Sequence, residues 1–220
     1  MNIEANVREV HRRIARACER SHRSPGEITL VVVTKEVGIS AIREAFDCGI
    51  RDFGENRVQE AEDKMGKLSD LKPEVTWHMV GHLQSNKAKA AVDLFDIIHS
   101  VDSIKLAEIL SRRVEKSLPV LLQVNVSEET TKGGFAVNEV ESSVEKIMQL
   151  PNLEVMGLMT IAPLVADVEE ARPVFRKLRE LRDSLGLEHL SMGMTDDFEV
   201  AVEEGATMLR VGRAIFGDRR

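Results

Sequence analysis

Lys35 closes an apolar run from Ile28 to Thr34, and two glycine segments far along the chain, Ser191-Met192-Gly193-Met194-Thr195 and Arg210-Val211-Gly212-Arg213, close the last two strand-like runs. A reactive amine and a phosphate cup at one end of a sheet would hold an aldehyde that carries a phosphate. An amine flanked by apolar strand is partly desolvated, which favours its neutral, carbonyl-reactive form. Lys35 also reads as an ordinary lysine paired with the neighbouring Glu36. In the first glycine segment Ser191 offers a hydroxyl, Gly193 lets backbone approach an anion, and Met194 and Thr195 lead into a helix whose first amides are unpaired. Asp196 and Asp197 share that first turn, where they also suit as caps. In the second segment Gly212 lets its own amide and that of Arg213 reach the same anion. Arg210 is placed to project toward the site or to form an ion pair.

These residues need a scaffold that brings strand ends together. After an opening helix over about Ile3 to Ser21, with Val7, Val10, Ile14 and Ala17 on one stripe, eight strand-like runs follow. They are Ile28 to Thr34, Asp52 to Gly54, Thr76 to Val80, Ile97 to Ser100, Val120 to Val126, Glu154 to Thr160, His189 to Met192 and Met208 to Val211. Helical periodicity separates them, for example over Ile104 to Lys116 and Val137 to Leu150. Pro173 removes a hydrogen bond donor, so its helix is expected to start or kink near Arg172. The alternation predicts an α/β fold, a single (β/α)8 TIM barrel over residues 1–220 with an extra N-terminal helix. An open doubly wound sheet is the alternative, but no GxGxxG follows the first strand and no GxxxxGK[ST] occurs. In such barrels the loops after strands seven and eight commonly hold phosphate.

Composition narrows the partners. The 220 residues carry a formal charge of -7, which leaves no overall basic field for nucleic acid or anionic lipid. No apolar run approaches the roughly 20 residues that cross a bilayer. Cys18 and Cys48 form no CxxC pair, and the N-terminus lacks the apolar core of a signal peptide, so a cytoplasmic protein with reduced thiols is expected. No large apolar stripe demands a partner copy, so a monomer is expected.

Other constellations read as structural. His78 and His82 have HxxxH spacing, but along a strand they lie roughly 13 Å apart and cannot share one metal ion. His82 follows the third strand and so falls near the barrel mouth. Asn86-Lys87-Ala88-Lys89 reads as an exposed helix start rather than a phosphate clamp. Arg172, Arg176, Lys177, Arg179 and Arg182 interleave with Glu180 and Asp183, which describes a solvated helix face. Lys132-Gly133-Gly134 reads as a turn whose lysine could visit the mouth.

Several segments together resemble the pyridoxal phosphate homeostasis proteins, also called YggS-like or proline synthetase co-transcribed homologues. They are Thr34-Lys35, Phe53-Gly54-Glu55-Asn56 with Gln59-Glu60, Trp77-His78 with Gly81 to Lys87, Lys132 to Phe135, Gly157 to Thr160, Ser191 to Asp197 and Arg210 to Gly217. The lysine is followed by Glu36-Val37-Gly38, where the family more often has threonine and proline, which puts the shape of that loop in question. The resemblance implies the barrel of the alanine racemase N-terminal domain and an internal aldimine between Lys35 and pyridoxal 5'-phosphate. It implies phosphate contacts from Ser191, Gly193, Met194, Thr195, Gly212 and Arg213, a ring lined by Asn56 and Met159, and Arg210 facing the pyridine nitrogen. A guanidinium only donates, so that nitrogen would stay unprotonated and the ring would be a weak electron sink. The resemblance also implies a role in balancing the free cofactor pool, with apo forms of other pyridoxal-phosphate enzymes as recipients. The chain has no tyrosine and ends at Arg220 directly after the barrel, so it is expected to lack the second acid-base group of a racemase. A racemase-like enzyme acting on amino acids, and a barrel aldolase using Lys35 without a cofactor, are the other readings.

Overall fold

Short runs rich in valine, isoleucine and leucine leave no strand face for water, and a parallel ladder covered by helices is the arrangement that buries both. The computed structural model describes residues 2–127, 129, 133–163 and 165–217. Its strands are β1 (Thr29–Val33), β2 (Asp52–Glu55), β3 (Thr76–Met79), β4 (Ile97–Val101), β5 (Leu118–Asn125), β6 (Phe135–Ala136), β7 (Leu153–Met159), β8 (His189–Ser191) and β9 (Met208–Val211). Its helices are α1 (Ile3–Arg20), α2 (Ile39–Asp47), α3 (Val58–Lys67), α4 (Ala88–Leu94), α5 (Ile104–Ser111), α6 (Val140–Met148), α7 (Arg172–Ser184), α8 (Phe198–Glu203) and α9 (Arg213–Phe216).

All strands but β6 form one parallel ring. β1 lies between β2 and β9, and the pairing of β4 with β5, Ile98 opposite Val120, closes it. The eight expected strands are the eight of this barrel. The two-residue β6 is an addition, pairing Phe135 with Val124 at the end of β5.

Alternation along the strands sorts the core into two volumes. Val32, Phe53, Trp77, Ile98, Leu122, Leu158, Leu190 and Leu209 join the cluster that meets the helices. Leu121, Met159 and Met208 form a small separate cluster inside the ring. His78, His99, Ser191 and Arg210 are buried as well, and Val31, opposite Arg210, is buried beside them.

The opening helix α1 is capped by Asn2, whose side chain accepts from the Ala5 amide at 2.9 Å. Its buried stripe is the expected one, extended by Ile3 and Cys18. Burying each large aliphatic side chain contributes roughly 1.5–3 kcal/mol, so packing rather than helix propensity holds this element. It lies against α8 and α9, with the Arg13 guanidinium 4.4 Å from the Phe198 ring centre.

Helix α7 starts at Arg172 with Pro173 in its first turn, where a missing N–H costs nothing. Two helices are shorter than their periodicity suggested. α5 ends at Ser111 instead of reaching Lys116, and a 3₁₀ turn over Val137–Glu139 precedes α6. Among the described residues no helix is long and apolar enough to cross a membrane, and Cys18 and Cys48 are unpaired.

Candidate functional site at the barrel mouth

Lys35 follows β1 in a loop whose backbone is clamped from below. The Lys64 ammonium donates to the Thr34 carbonyl at 2.5 Å, to Glu55 at 2.8 Å and to Glu60 at 2.6 Å. Glu60 in turn accepts from the Glu36 amide at 2.5 Å, which fixes Glu36 in the left-handed region at φ 59°. This clamp answers the question raised by Glu36-Val37-Gly38. Burial pushes the Glu55 carboxyl above its ordinary range, with Lys64 and the Thr34 hydroxyl pulling the other way. Burial also acts to raise Glu60, but Lys64, the Glu36 amide and Arg57 together hold it below its usual value.

Lys35 opens on a cavity of about 320 Å³ that Asn56, Met194, Thr195, Arg210, Gly212 and Arg213 line together with Val33, Val80, Ile161 and Asp196. Residues from opposite ends of the chain therefore meet here. The register explains it: β1 and β9 are neighbours, with Val31 opposite Arg210 and Val32 opposite Val211. Asn56 is set by a close backbone approach, because a Cβ on Gly81 would fall 2.4 Å from the Asn56 carbonyl oxygen. The Asn56 side-chain oxygen is buried without a hydrogen-bond partner among the described residues.

Three expected site residues stand elsewhere. The Ser191 hydroxyl, expected at the anion cradle, is turned into the barrel, where Arg210 donates to it at 2.7 Å and His99 Nδ1 lies 2.8 Å away. Met159, expected against the ring, is buried among Leu121 and Met208. Gly193, expected to meet an anion, has φ 90° and sits against α8, where a Cβ would come 2.5 Å from that of Ala201. Both the left-handed φ and that packing require glycine here. Asp197 occupies the N-cap position of α8 but its side chain caps no amide of that helix; it accepts instead from the Met194 amide in the preceding turn at 2.6 Å, and Asp196 pairs with Arg213.

Arg210 is buried, donates to the Thr160 carbonyl at 2.8 Å as well as to Ser191, and lines the cavity. Burial pushes its guanidinium down to about 10, partly offset by Asp197, so it stays charged at neutral pH. A second basin of about 420 Å³ shares Lys35 and Asn56 and is lined by Arg57, Gln59, His82 and Lys87. His82 thus lies at the mouth, paired with Asp102 at 3.1 Å. Lys87 lines the same basin, a role that its place at a helix start did not announce. Lys132 lies outside the described residues. Among the described residues no cluster of side chains could hold a metal ion.

The model of the alanine racemase N-terminal domain family matches residues 2–220. A pyridoxal phosphate homeostasis protein from Aquifex aeolicus is 44% identical over 229 residues, covering 100% of both chains. The chain belongs to the pyridoxal phosphate homeostasis protein family. Among solved structures, PipY of Synechococcus elongatus with PLP bound is 40% identical, with a TM-score of 0.82 over 93% of this chain and 100% of that one. Alanine racemase from Corynebacterium glutamicum, at 19% identity, shares the fold alone, with a TM-score of 0.72 over 99% of this chain and 61% of that one. Family membership thus agrees with a closed parallel barrel preceded by a helix.

Proposed function

We propose that this chain binds pyridoxal 5'-phosphate in the mouth cavity through Lys35, and that it holds and releases the cofactor without turning over amino acids itself. The observation that carries this reading is the convergence of the Lys35 amine, the Arg210 guanidinium and the Gly212-Arg213 turn on one cavity of about 320 Å³. That volume suits a single small ligand, being at the lower end of the roughly 300–1,000 Å³ usual for ligand pockets. The donor set fits the cofactor group by group. Lys35 supplies the amine for the aldehyde, Arg213 and Thr195 flank the anionic end, and the unpartnered Asn56 oxygen offers a buried acceptor beside the ring. The solved PipY structure with PLP bound supports the assignment.

When bound, the cofactor supplies a carbonyl carbon that condenses with a primary amine and a ring that withdraws electrons. Arg210 acts on the second property: a guanidinium only donates, so it holds the ring nitrogen as an acceptor and keeps the electron sink weak. Efficient proton exchange at an amino-acid carbon needs an acid-base group on each face, and this chain has no tyrosine to serve as the second. The name of the Aquifex relative supports a role in balancing the cofactor pool. Other pyridoxal-phosphate apoenzymes are the recipients that such a role calls for.

The test is the absorbance of the native protein. A yellow preparation whose colour is lost in Lys35→Ala, together with transfer of cofactor to an apoenzyme, is the expected result. Rapid exchange of amino-acid α-protons in deuterated water would overturn the non-catalytic part. A colourless protein that stays colourless with added cofactor would overturn the whole.

A further inference from the structure

Four polar side chains connect Arg210 to the far side of the barrel. Arg210 Nη1 lies 2.7 Å from Ser191 Oγ, Ser191 Oγ lies 2.8 Å from His99 Nδ1, His99 Nε2 lies 2.9 Å from His78 Nδ1, and His78 Nε2 lies 3.0 Å from Asp52 Oδ1. With Arg210 on β9, they come from β8, β4, β3 and β2, so the chain of contacts crosses the barrel interior. His78, His99 and Ser191 are fully buried, whereas the Asp52 side chain is 29% exposed at the start of its strand. Barrel interiors are ordinarily filled with branched apolar side chains. Unpaired imidazoles there would be costly, yet each ring nitrogen of both histidines has a partner.

The chemistry of the ends fixes the direction of every bond. Arg210 can only donate, so Ser191 accepts from it and offers its own proton to His99 Nδ1. His99 must then carry its proton on Nε2 and give it to His78 Nδ1. His78 likewise carries its proton on Nε2 and gives it to the Asp52 carboxylate. The reverse direction would leave the serine proton without an acceptor. A proton on both facing ring nitrogens would set two N–H groups against each other across 2.9 Å. Burial, with further contributions from His78 and Arg210, holds His99 well below the usual imidazole range, in keeping with a neutral ring.

We propose that Asp52, His78, His99 and Ser191 form a one-way hydrogen-bonded relay that positions the Arg210 guanidinium for the cofactor's ring nitrogen. The inference rests on the proposed contact between Arg210 and that nitrogen. The relay holds one edge of the guanidinium, and the Thr160 carbonyl holds a second nitrogen at 2.8 Å. Such a chain polarises bond by bond toward its terminal carboxylate, which supports a buried positive charge that has no direct carboxylate partner among the described residues. His78, His99, Ser191 and Asp52 are thus positioning residues acting through Arg210.

Two measurements test the relay. In the cofactor-free protein at neutral pH, proton–nitrogen spectra of the imidazoles are expected to show His78 and His99 as neutral rings carrying hydrogen on Nε2. A ring protonated on Nδ1 would overturn the assignment. The second measurement titrates the protein with pyridoxal 5'-phosphate and with the analogue whose ring nitrogen is replaced by C–H. Wild type is expected to prefer the natural cofactor by about tenfold, the worth of one hydrogen bond to a charged donor. Ser191→Ala, a small change inside the barrel, is expected to reduce that preference to about twofold or less, and Asp52→Asn, at the partly exposed end, to an intermediate value. A purely structural role would lower the affinity for both compounds equally. Preference retained in both variants refutes the relay. Equal binding of both compounds by wild type refutes the ring contact and the relay with it, while leaving cofactor binding intact; binding of neither refutes the proposed function itself.

Discussion

The Thr34 hydroxyl donates to the fully buried Glu55 carboxylate across 2.6 Å, one residue before Lys35. The same carboxylate oxygen takes a bond from Lys64, which also holds the Thr34 carbonyl, so one buried ion pair fixes the strand end that presents the amine. Lys64→Met removes the cation and leaves Glu55 buried beside an unfilled need for charge. The expected loss is about 3–5 kcal/mol, read from denaturant unfolding at neutral pH. Adding Glu55→Gln should recover part of that loss by removing the unpaired charge. An equal deficit in the single and double variants would show that the clamp does not work through this pair.

Glu36 pays for its place in the loop with a left-handed backbone, φ 59°. That conformation costs a residue with a side chain about 1–2 kcal/mol, against roughly 0.5–1 kcal/mol of extra chain entropy lost by glycine. Glu36→Gly is therefore expected to stabilise the protein by about 0.5–1 kcal/mol, seen as a higher denaturant midpoint with an unchanged slope. Glu36→Val should do the opposite, because a branched Cβ fits this region worst.

Strands such as β1, β5 and β7 were legible as compact apolar runs, the short β2 and β8 followed from the regular alternation with helices, and Pro173 marked the start of α7 because a proline is tolerated only in a first turn. The junction of Lys35 with Arg210 and Gly212 followed once the strands were counted. What escaped was the barrel interior. Ser191 stands opposite Met208, and Met159 stands opposite Ser191, so these side chains share the inner volume rather than the mouth. A signal existed in His78 and His99. Each is a titratable residue in the middle of a strand buried on both faces, and such a residue needs a partner inside the ring. The two-residue β6 carries no periodicity to read, and the Glu55–Lys64–Glu60 clamp joins residues whose types look like surface charge.

On the outer side, Glu204 is nearly buried and accepts from Arg172 at 3.3 Å, Arg176 at 2.9 Å and Arg179 at 3.0 Å, tying α7 to the end of α8. Burial acts to raise its carboxyl, but the three guanidinium groups outweigh this and hold it below its ordinary value. A carboxyl lowered in the folded state contributes stability that is present above its unfolded value and lost as pH falls through its folded one. Glu204→Gln is expected to cost about 1–3 kcal/mol at neutral pH. Thermal unfolding followed toward acid should show the wild-type advantage shrinking once the pH falls below the ordinary glutamate range. An advantage that persists unchanged into acid would mean that packing, not charge, is what the glutamate provides.

Two glycines separate a site effect from a backbone effect. Gly66 lies inside α3 with nothing within 4 Å of where a Cβ would stand, so Gly66→Ala should stabilise by roughly 0.5–1 kcal/mol through helix entropy alone. Gly81 differs, because its Cβ would meet the Asn56 carbonyl oxygen at 2.4 Å and the Asn56 Cα at 2.6 Å, both of them backbone atoms that cannot rotate away. The loops after β2 and β3 must then separate, which carries Asn56 away from Lys35. Gly81→Ala is expected to destabilise by about 1–3 kcal/mol, the usual range for forced overpacking, and to weaken binding of pyridoxal 5'-phosphate in the same protein. Gly66→Ala should leave that binding unchanged. If Gly81→Ala lost stability but kept full cofactor affinity, Asn56 would not be part of the binding wall, and its unpartnered oxygen would need another explanation.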